Sequence, residues 1–372
     1  MSLENMPKLG FGLMRLPETD GKIDMQQVCD MVDAYMASGA NYFDTAYVYH
    51  GGMSERAVKE AIVARYPRES FTVATKLPAW VINSKEDAGK VFNEQLERTG
   101  AGYIDFYLLH SIEDGDNYEK HERFDTFGWA ADKKAKGLIK HFGFSFHGSP
   151  ELLERILDKH PEVEFVQIQL NYADITNPVV QSGKLYGILR ERNIPMIIME
   201  PVKGGLLANP APELADMFRA YNPEASFASW ALRYVASLDG IATILSGMSS
   251  MAQMQDNLKT FRDFKPLNDE EKEIIDRVVS KMLDMDQVPC TGCRYCCDGC
   301  PAGIKIPDVF RALNTARLYP NEMRPHFFYN NLTGNSGKAM DCVGCGQCEG
   351  VCPQHLPIIE LIAEASGVFD RR

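Results

Sequence analysis

Nine of the ten cysteines in this 372-residue chain fall between Cys290 and Cys352. They form two copies of one pattern, C-x2-C-x2-C-x3-C-P. PCTGCRYCCDGCP at 289–301 carries Cys290, Cys293, Cys296 and Cys300, and DCVGCGQCEGVCP at 341–353 carries Cys342, Cys345, Cys348 and Cys352. Three thiolates at i, i+3 and i+6 wrap three corners of an iron-sulfur cubane, and the fourth, ahead of proline, diverges to reach a neighbouring cluster. The spacing predicts two 4Fe-4S clusters with crossed ligand sets, one on Cys290, Cys293, Cys296 and Cys352 and the other on Cys342, Cys345, Cys348 and Cys300. Zinc sites use paired arms of two ligands each, which three close cysteines and a distant fourth do not match. Cys297 is left over inside the first motif as a bystander. Cys29, on a helical face with Val28, Val32 and Met36, reads as a core residue.

A second set of residues has the makings of proton transfer. Asp44, Lys76 and His110 each close a short apolar run, and Tyr49 lies in the loop after Asp44. A tyrosine ionises near pH ~10, so as a proton donor at neutral pH it benefits from a cation that stabilises its phenolate. Lys76 is the candidate cation, and Asp44 is the partner that keeps a buried lysine charged. His110 is placed to orient a carbonyl oxygen beside the tyrosine. The chemistry implied is protonation of an oxygen that becomes an alcohol, and the missing partner is a hydride donor.

Residues at run ends meet only if the runs are strands of one sheet. Eight runs qualify: 9–14, 41–46, 71–76, 104–110, 141–146, 165–170, 195–200 and 241–248. They are almost continuously apolar, as parallel strands covered on both faces are. Helical patterns lie between them. Ser54 is read as the cap of a helix to Arg65 with Pro67 beyond its end, and Asn268 with Glu271 as the capping box of a helix over 268–285. Eight strand-helix units in about 250 residues predict a (β/α)8 barrel, and no GxGxxG follows any run to support a Rossmann fold. The barrel is expected over 1–285. A small, mainly helical iron-sulfur domain is expected over 286–372, with a helix at 307–318, a Pro/Asn/Gly-rich loop, and a closing helix at 355–366.

Composition narrows the partners. With 39 Lys+Arg against 51 Asp+Glu the net charge is −12, so the chain has no excess of cations for a nucleic-acid backbone. No apolar run reaches the ~18 residues of a membrane span, and the N-terminus does not read as a leader. A secreted disulfide framework would not leave the first 289 residues with a single cysteine. A cytoplasmic protein without membrane or nucleic-acid partners is the expectation.

The first 285 residues resemble an aldo/keto reductase. The resemblance is carried by LGFG (9–12), NYFDTAYVYHGGMSERAVKEAI (41–62) with its D-x4-Y spacing, TK (75–76), DFYLLH (105–110), KGLIKHFGFS (136–145) and VQIQLNY (166–172). It implies that Asp44, Tyr49, Lys76 and His110 are the family's catalytic tetrad, with Tyr49 the general acid in reduction. It also implies a nicotinamide dinucleotide extended across the barrel mouth and a small carbonyl or alcohol substrate. Ser145 and Gln167 match the residues that contact the carboxamide. Phe146, followed by His147, stands where the family usually has asparagine. Met199 stands where a tyrosine commonly stacks on the ring, and a thioether packs there without a π face. Lys203, beside Gly204 and Gly205, is either a pyrophosphate contact or a solvated loop lysine. Asn257 matches the adenosine end, but Gly247 and Gln253 replace the basic residues that hold a 2′-phosphate, which favours NADH over NADPH. Substrate choice falls to loops such as 111–127, where His121 and Arg123 would favour an anion unless they are ordinary loop charges.

The tail resembles the α-helical ferredoxin domains appended to redox enzymes. Hydride transfer moves two electrons and a 4Fe-4S cluster exchanges one, so three readings stand side by side. In the first, the clusters exchange electrons with a ferredoxin or flavoprotein partner, or with a bound flavin. In the second, they brace the tail or the site rim. In the third, the chain is a non-catalytic nicotinamide sensor that docks a redox partner, and the intact tetrad argues against it.

Overall fold

The computed structural model describes residues 3–370 apart from 114, 179, 263, 286, 320 and 321. The eight apolar runs form eight strands: β1 (Leu9–Gly12), β2 (Tyr42–Asp44), β3 (Thr72–Pro78), β4 (Ile104–Ile112), β5 (Ile139–Phe146), β6 (Phe165–Gln169), β7 (Met196–Met199) and β8 (Ile241–Ser246). Each pairs in parallel with its sequence neighbours, and β8 pairs with β1 to close the barrel. Closure leaves none of these eight strands with an unpaired edge.

Alternation along the strands divides the core in two. Tyr42, Ala74, Phe106, Leu108, Phe165, Ile197 and Leu245 pack together inside the barrel. Phe11, Phe43 and Val73 point outward and pack with Val28, Met31, Val32 and Tyr35 of the helix Met25–Ala37. The Tyr35 hydroxyl donates to the Leu9 carbonyl at 2.6 Å, tying that helix to β1. Gly143 on β5 permits a close strand approach, since a Cβ there would stand 2.3 Å from the Phe165 carbonyl oxygen of β6.

The chain forms two compact units, and they are not simply successive. One comprises Met1–Thr176, Val180–Val202 and Ala228–Leu267, and the other comprises Lys203–Phe227 and Asn268–Arg372 with the short piece Asn177–Val179. The helix Asp269–Asp284 belongs to the second unit, and residue 286, at the expected boundary, lies outside the described residues. That helix starts on the expected capping box: Asn268 Oδ1 accepts from the Glu271 amide and Glu271 Oε2 from the Asn268 amide.

The second unit is helical. Ile306–Leu318 and Ile358–Phe369 match the expected helices to within three residues. The segment read as a loop contains a further helix, Arg324–Thr333. Pro325 sits in its first turn, where proline lacks only an amide that would have had no partner. Val309, Phe310, Leu313, Tyr329, Ile358 and Ile362 form the core of this unit, with Cys296 among them and five further cysteines packed against it. No helix of the described residues is long and apolar enough to cross a membrane.

Candidate active site and cluster cavities

Barrel register brings the proton-transfer residues together at the C-terminal ends of the strands. Asp44 is the last residue of β2, and Lys76 lies near the end of β3. His110 on β4 pairs with Pro78 of β3. Asp44 and Lys76 are buried, while Tyr49 and His110 keep some access to solvent. Lys76 Nζ donates to Asp44 Oδ1 at 2.6 Å and to the Thr45 carbonyl at 2.8 Å. The same ammonium stands 5.0 Å from the centre of the Tyr49 ring, and the Tyr49 and His110 rings meet edge-on at 5.8 Å.

The charge states follow from these contacts. Burial alone would strip Lys76 of its proton, but the Asp44 carboxylate, with Tyr49, reverses this and holds Lys76 above its ordinary value. Burial pushes His110 well below the usual histidine value, and the Lys76 charge adds to that, so its imidazole is neutral at neutral pH. Tyr49 departs from the expectation that Lys76 would lower it. The ammonium pulls in that direction, but burial is the larger effect, and Asp44 and Glu200 reinforce it, so the phenol lies above its ordinary value. A protonated phenol is the form a general acid requires before the reaction.

A buried network supports this cluster from behind. Glu55 Oε1 accepts from Thr75 Oγ1 at 2.7 Å and from Gln95 Nε2 at 2.9 Å, and Glu55 Oε2 pairs with Arg98 at 3.2 Å. Gln95 Nε2 also donates to the Lys76 carbonyl at 3.0 Å, which fixes the backbone that carries the lysine. Ser54, read as a helix cap, does something else. The helix begins at Met53 behind Gly52 at φ 88°, and Ser54 turns inward to Thr45 Oγ1 at 2.7 Å and the Leu13 carbonyl at 3.0 Å.

The expected nucleotide contacts divide into two groups. Ser145 and Gln167 are buried and directly paired across β5 and β6. Ser145 Oγ accepts from the Ser111 amide at 2.7 Å, where β4 shifts register and Ser111 adopts φ 57°. Gln167 Nε2 contacts Met199 Sδ at 3.6 Å, while its Oε1 is buried with no hydrogen-bond partner. An orphaned buried acceptor beside a serine hydroxyl fits an amide ligand, since such groups are normally paired. The second group lies after β8 and is engaged locally. Asn257 donates to Ser246 Oγ at 2.8 Å, and Gln253 Oε1 accepts from the Ser249 amide at 2.7 Å. Lys203 adopts φ 49° in the turn Lys203–Ala208 and belongs to the second unit.

Several residues escaped the sequence reading. Trp80 is 49% exposed with its ring 5.4 Å from His110, an aromatic wall beside the reactive cluster. Glu200 adopts φ 53° and its carbonyl accepts from Asn171 Nδ2 at 3.1 Å. The aliphatic stem of Arg15 packs over Gly247, where a Cβ would meet Arg15 Cδ at 3.0 Å. The segment 111–127 contains the helix Asp116–Arg123. His121 is buried in it with Nδ1 2.9 Å from Thr126 Oγ1, and burial lowers it to about 4. Neutral at physiological pH, it does not supply the anion-favouring charge considered above.

In the second unit the eight motif cysteines line two cavities. One is bordered by Cys290, Cys293, Cys296 and Cys352. The other is bordered by Cys300, Cys342, Cys345 and Cys348. Each thus combines three cysteines of one motif with the last of the other. Thiolate sets of four around a cavity suit a cuboidal iron-sulfur cluster. The motifs interlock, since a Cβ on Gly299 would stand 2.0 Å from Gln347 Nε2.

A closed parallel barrel with titratable side chains gathered at the C-terminal rim of its strands is the architecture of a barrel enzyme. The chain belongs to the aldo/keto reductase family, whose model matches residues 8–280, and it is an oxidoreductase. Residues 289–357 match a 4Fe-4S dicluster domain. Among curated relatives, the chain is 26% identical over 277 residues to L-galactose dehydrogenase of Arabidopsis thaliana, an alignment covering 70% of this chain and 85% of that one. It is 23% identical over 281 residues to an uncharacterised oxidoreductase of Bacillus subtilis, covering 68% and 87%. Among solved structures, the holo form of an aldo-keto reductase from Bacillus halodurans superposes with a TM-score of 0.61 at 25% identity, covering 73% of this chain and 91% of that one. An aldo-keto reductase from Klebsiella pneumoniae in complex with NADPH has the same fold, with a TM-score of 0.59 at 21% identity over 74% and 91%.

Proposed function

We propose that the barrel interconverts a carbonyl and an alcohol with NAD(P)H, with Tyr49 as the general acid in reduction. The observation that carries this reading is the buried Lys76–Asp44 pair beneath the Tyr49 ring, with neutral His110 at the ring's edge. The nicotinamide, when bound, supplies the hydride. Tyr49 Oη delivers the proton to the substrate oxygen, and the Lys76 ammonium stabilises the phenolate left behind. His110 orients that oxygen without competing for the proton, because its imidazole is uncharged. Trp80 stands beside His110 on one side of this cluster.

Ser145 and Gln167 hold the carboxamide, and Met199 packs beside them. Gly247, Gln253 and Asn257 form the adenosine end. The preference for NADH rests on the missing cations at 247 and 253. Two 4Fe-4S clusters are assigned, one to Cys290, Cys293, Cys296 and Cys352 and one to Cys342, Cys345, Cys348 and Cys300. They exchange single electrons with a ferredoxin, a flavin or a flavoprotein. A bracing role is favoured at the same time by the packing of the cysteines against the core of their unit.

The test is Tyr49→Phe with a panel of carbonyls and both nucleotides. Turnover is expected to fall by about 10²–10⁴-fold, the usual contribution of a positioned acid, while nucleotide binding followed by fluorescence is retained. Undiminished turnover of every carbonyl that the unaltered protein reduces would overturn the assignment.

A further inference from the structure

The two cysteine motifs build nearly the same backbone twice. After the second cysteine of each, one residue adopts a left-handed conformation and starts a four-residue helix. In the first motif it is Arg294, at φ 63° and ψ 2° ahead of Tyr295–Asp298. In the second it is Gly346, at φ 76° and ψ −5° ahead of Gln347–Gly350. Glycine takes this conformation freely, whereas an L-residue with a long side chain pays about 1–2 kcal/mol for it. The arginine at the pseudo-equivalent position thus runs against local preference, and what distinguishes it from the glycine is its side chain.

That side chain is fixed. Arg294 Nη1 and Nη2 donate to the two carboxylate oxygens of Asp308 at 2.8 and 3.1 Å, a bidentate geometry that sets the plane of the guanidinium. Arg294 also borders the cavity of Cys290, Cys293, Cys296 and Cys352, which its carboxylate partner does not. Among the described residues lining either cavity it is the single cationic one. The cavity of Cys300, Cys342, Cys345 and Cys348 is bordered instead by apolar side chains such as Ile304, Ile306 and Ile362. Asp308 offsets part of the positive charge, so the pair acts as an oriented dipole with its positive end at one cavity.

An added electron makes a four-thiolate 4Fe-4S cluster one unit more negative, and a nearby positive end favours the more negative state. Given the cluster assignment above, on which this step rests, we infer that Arg294 makes the two sites electrically unequal. The cluster on Cys290, Cys293, Cys296 and Cys352 is reduced at the higher potential, and an electron entering the unit comes to rest there.

The experiment is an anaerobic potentiometric titration of the full-length, reconstituted protein with dithionite, followed by electron paramagnetic resonance. Unaltered protein is expected to reduce in two separate one-electron steps. Arg294→Gln should lower the upper step by about 59 mV or more, a tenfold change in its reduction equilibrium, and leave the lower step in place. Arg294→Lys, which keeps the charge, should restore much of the shift. Gly346→Arg provides an independent variant and should raise the lower step. Intact cluster signals with both steps unmoved in Arg294→Gln and in Gly346→Arg would overturn the inference alone. Failure of the unaltered protein to bind iron and sulfide on reconstitution would overturn the cluster assignment itself.

Discussion

Asp44→Asn tests whether the carboxylate is what keeps Lys76 charged. The Lys76 side chain has no exposed surface, and its ammonium has two acceptors, Asp44 Oδ1 at 2.6 Å and the Thr45 carbonyl at 2.8 Å. The amide keeps the size of the side chain and an acceptor oxygen but removes the charge. Removing one partner of a buried pair costs about 3–5 kcal/mol, because the remaining charge is left uncompensated. The dependence on pH fixes the interpretation. In the unaltered protein the folded-state value of Lys76 lies above its ordinary 10.5. The pair's contribution is therefore complete below that ordinary value and is lost as pH rises through the higher folded one. In Asp44→Asn burial acts without the counter-charge and places the folded value below the ordinary one. The unfolded chain then holds the proton more tightly, and stability rises with pH between the two values. The deficit should thus be largest near neutral pH and shrink as pH approaches about 10. Trp80, Trp129 and Trp230 all lie in the barrel unit, so urea unfolding followed by tryptophan fluorescence reports on that unit. A deficit below about 1 kcal/mol, the scale of an exposed pair, or one that stays constant with pH, would refute the reasoning.

Burial holds Tyr49 above its ordinary 10.0, so alcohol oxidation, which needs the phenolate, should still be gaining rate beyond about pH 9. Reduction should be flat through neutrality and fall only as Tyr49 ionises. Measured kcat/KM in both directions checks this, and a plateau of oxidation near neutral pH would contradict it. Gly143→Ala should destabilise the barrel by about 1–3 kcal/mol in urea titrations, since the new Cβ would lie 2.3 Å from the Phe165 carbonyl oxygen. Removing iron with a chelator should cost helical circular dichroism from the second unit, whose core packs against the cysteines, while barrel tryptophan fluorescence stays unchanged. Retention of the full helical signal in the iron-free protein would count against the coupling of cluster and fold.

The eight strands were legible because each is a short apolar run long enough to show its ends, and the strand ends in turn located Asp44, Lys76 and His110. The expectation of crossed cysteine sets came from the repeat of the motif, and the cysteines that line the two cavities are grouped in the same way. What escaped depends on register or on context. Trp80 and His110 are thirty positions apart and meet only because Pro78 and His110 are paired across β3 and β4. Arg15 reaches Gly247 because β1 neighbours β8 in a closed sheet. Ser54 has the residue type of a cap, but Gly52 takes the turn and leaves Ser54 one position inside the helix, facing the core. The helix Arg324–Thr333 carries Pro325 and two asparagines, which suggest a loop until Tyr329 is seen buried in the core of its unit. The balance between burial and Lys76 at Tyr49 is a matter of local solvent access, which residue types do not carry.

The division of each cavity between the two motifs has a consequence for synthesis. The first cavity borders on Cys290 at one end of the segment and on Cys352 at the other, and the second borders on Cys300 together with Cys342, Cys345 and Cys348. A nascent chain that has extruded only the first motif owns no complete site, and a proteolytic break between the motifs would leave each fragment short of one ligand. If the clusters are held as proposed, their insertion must wait until both motifs have emerged and come together. On the proposed ligand assignment, only a chain finished through Cys352 owns two complete sets of four cysteines.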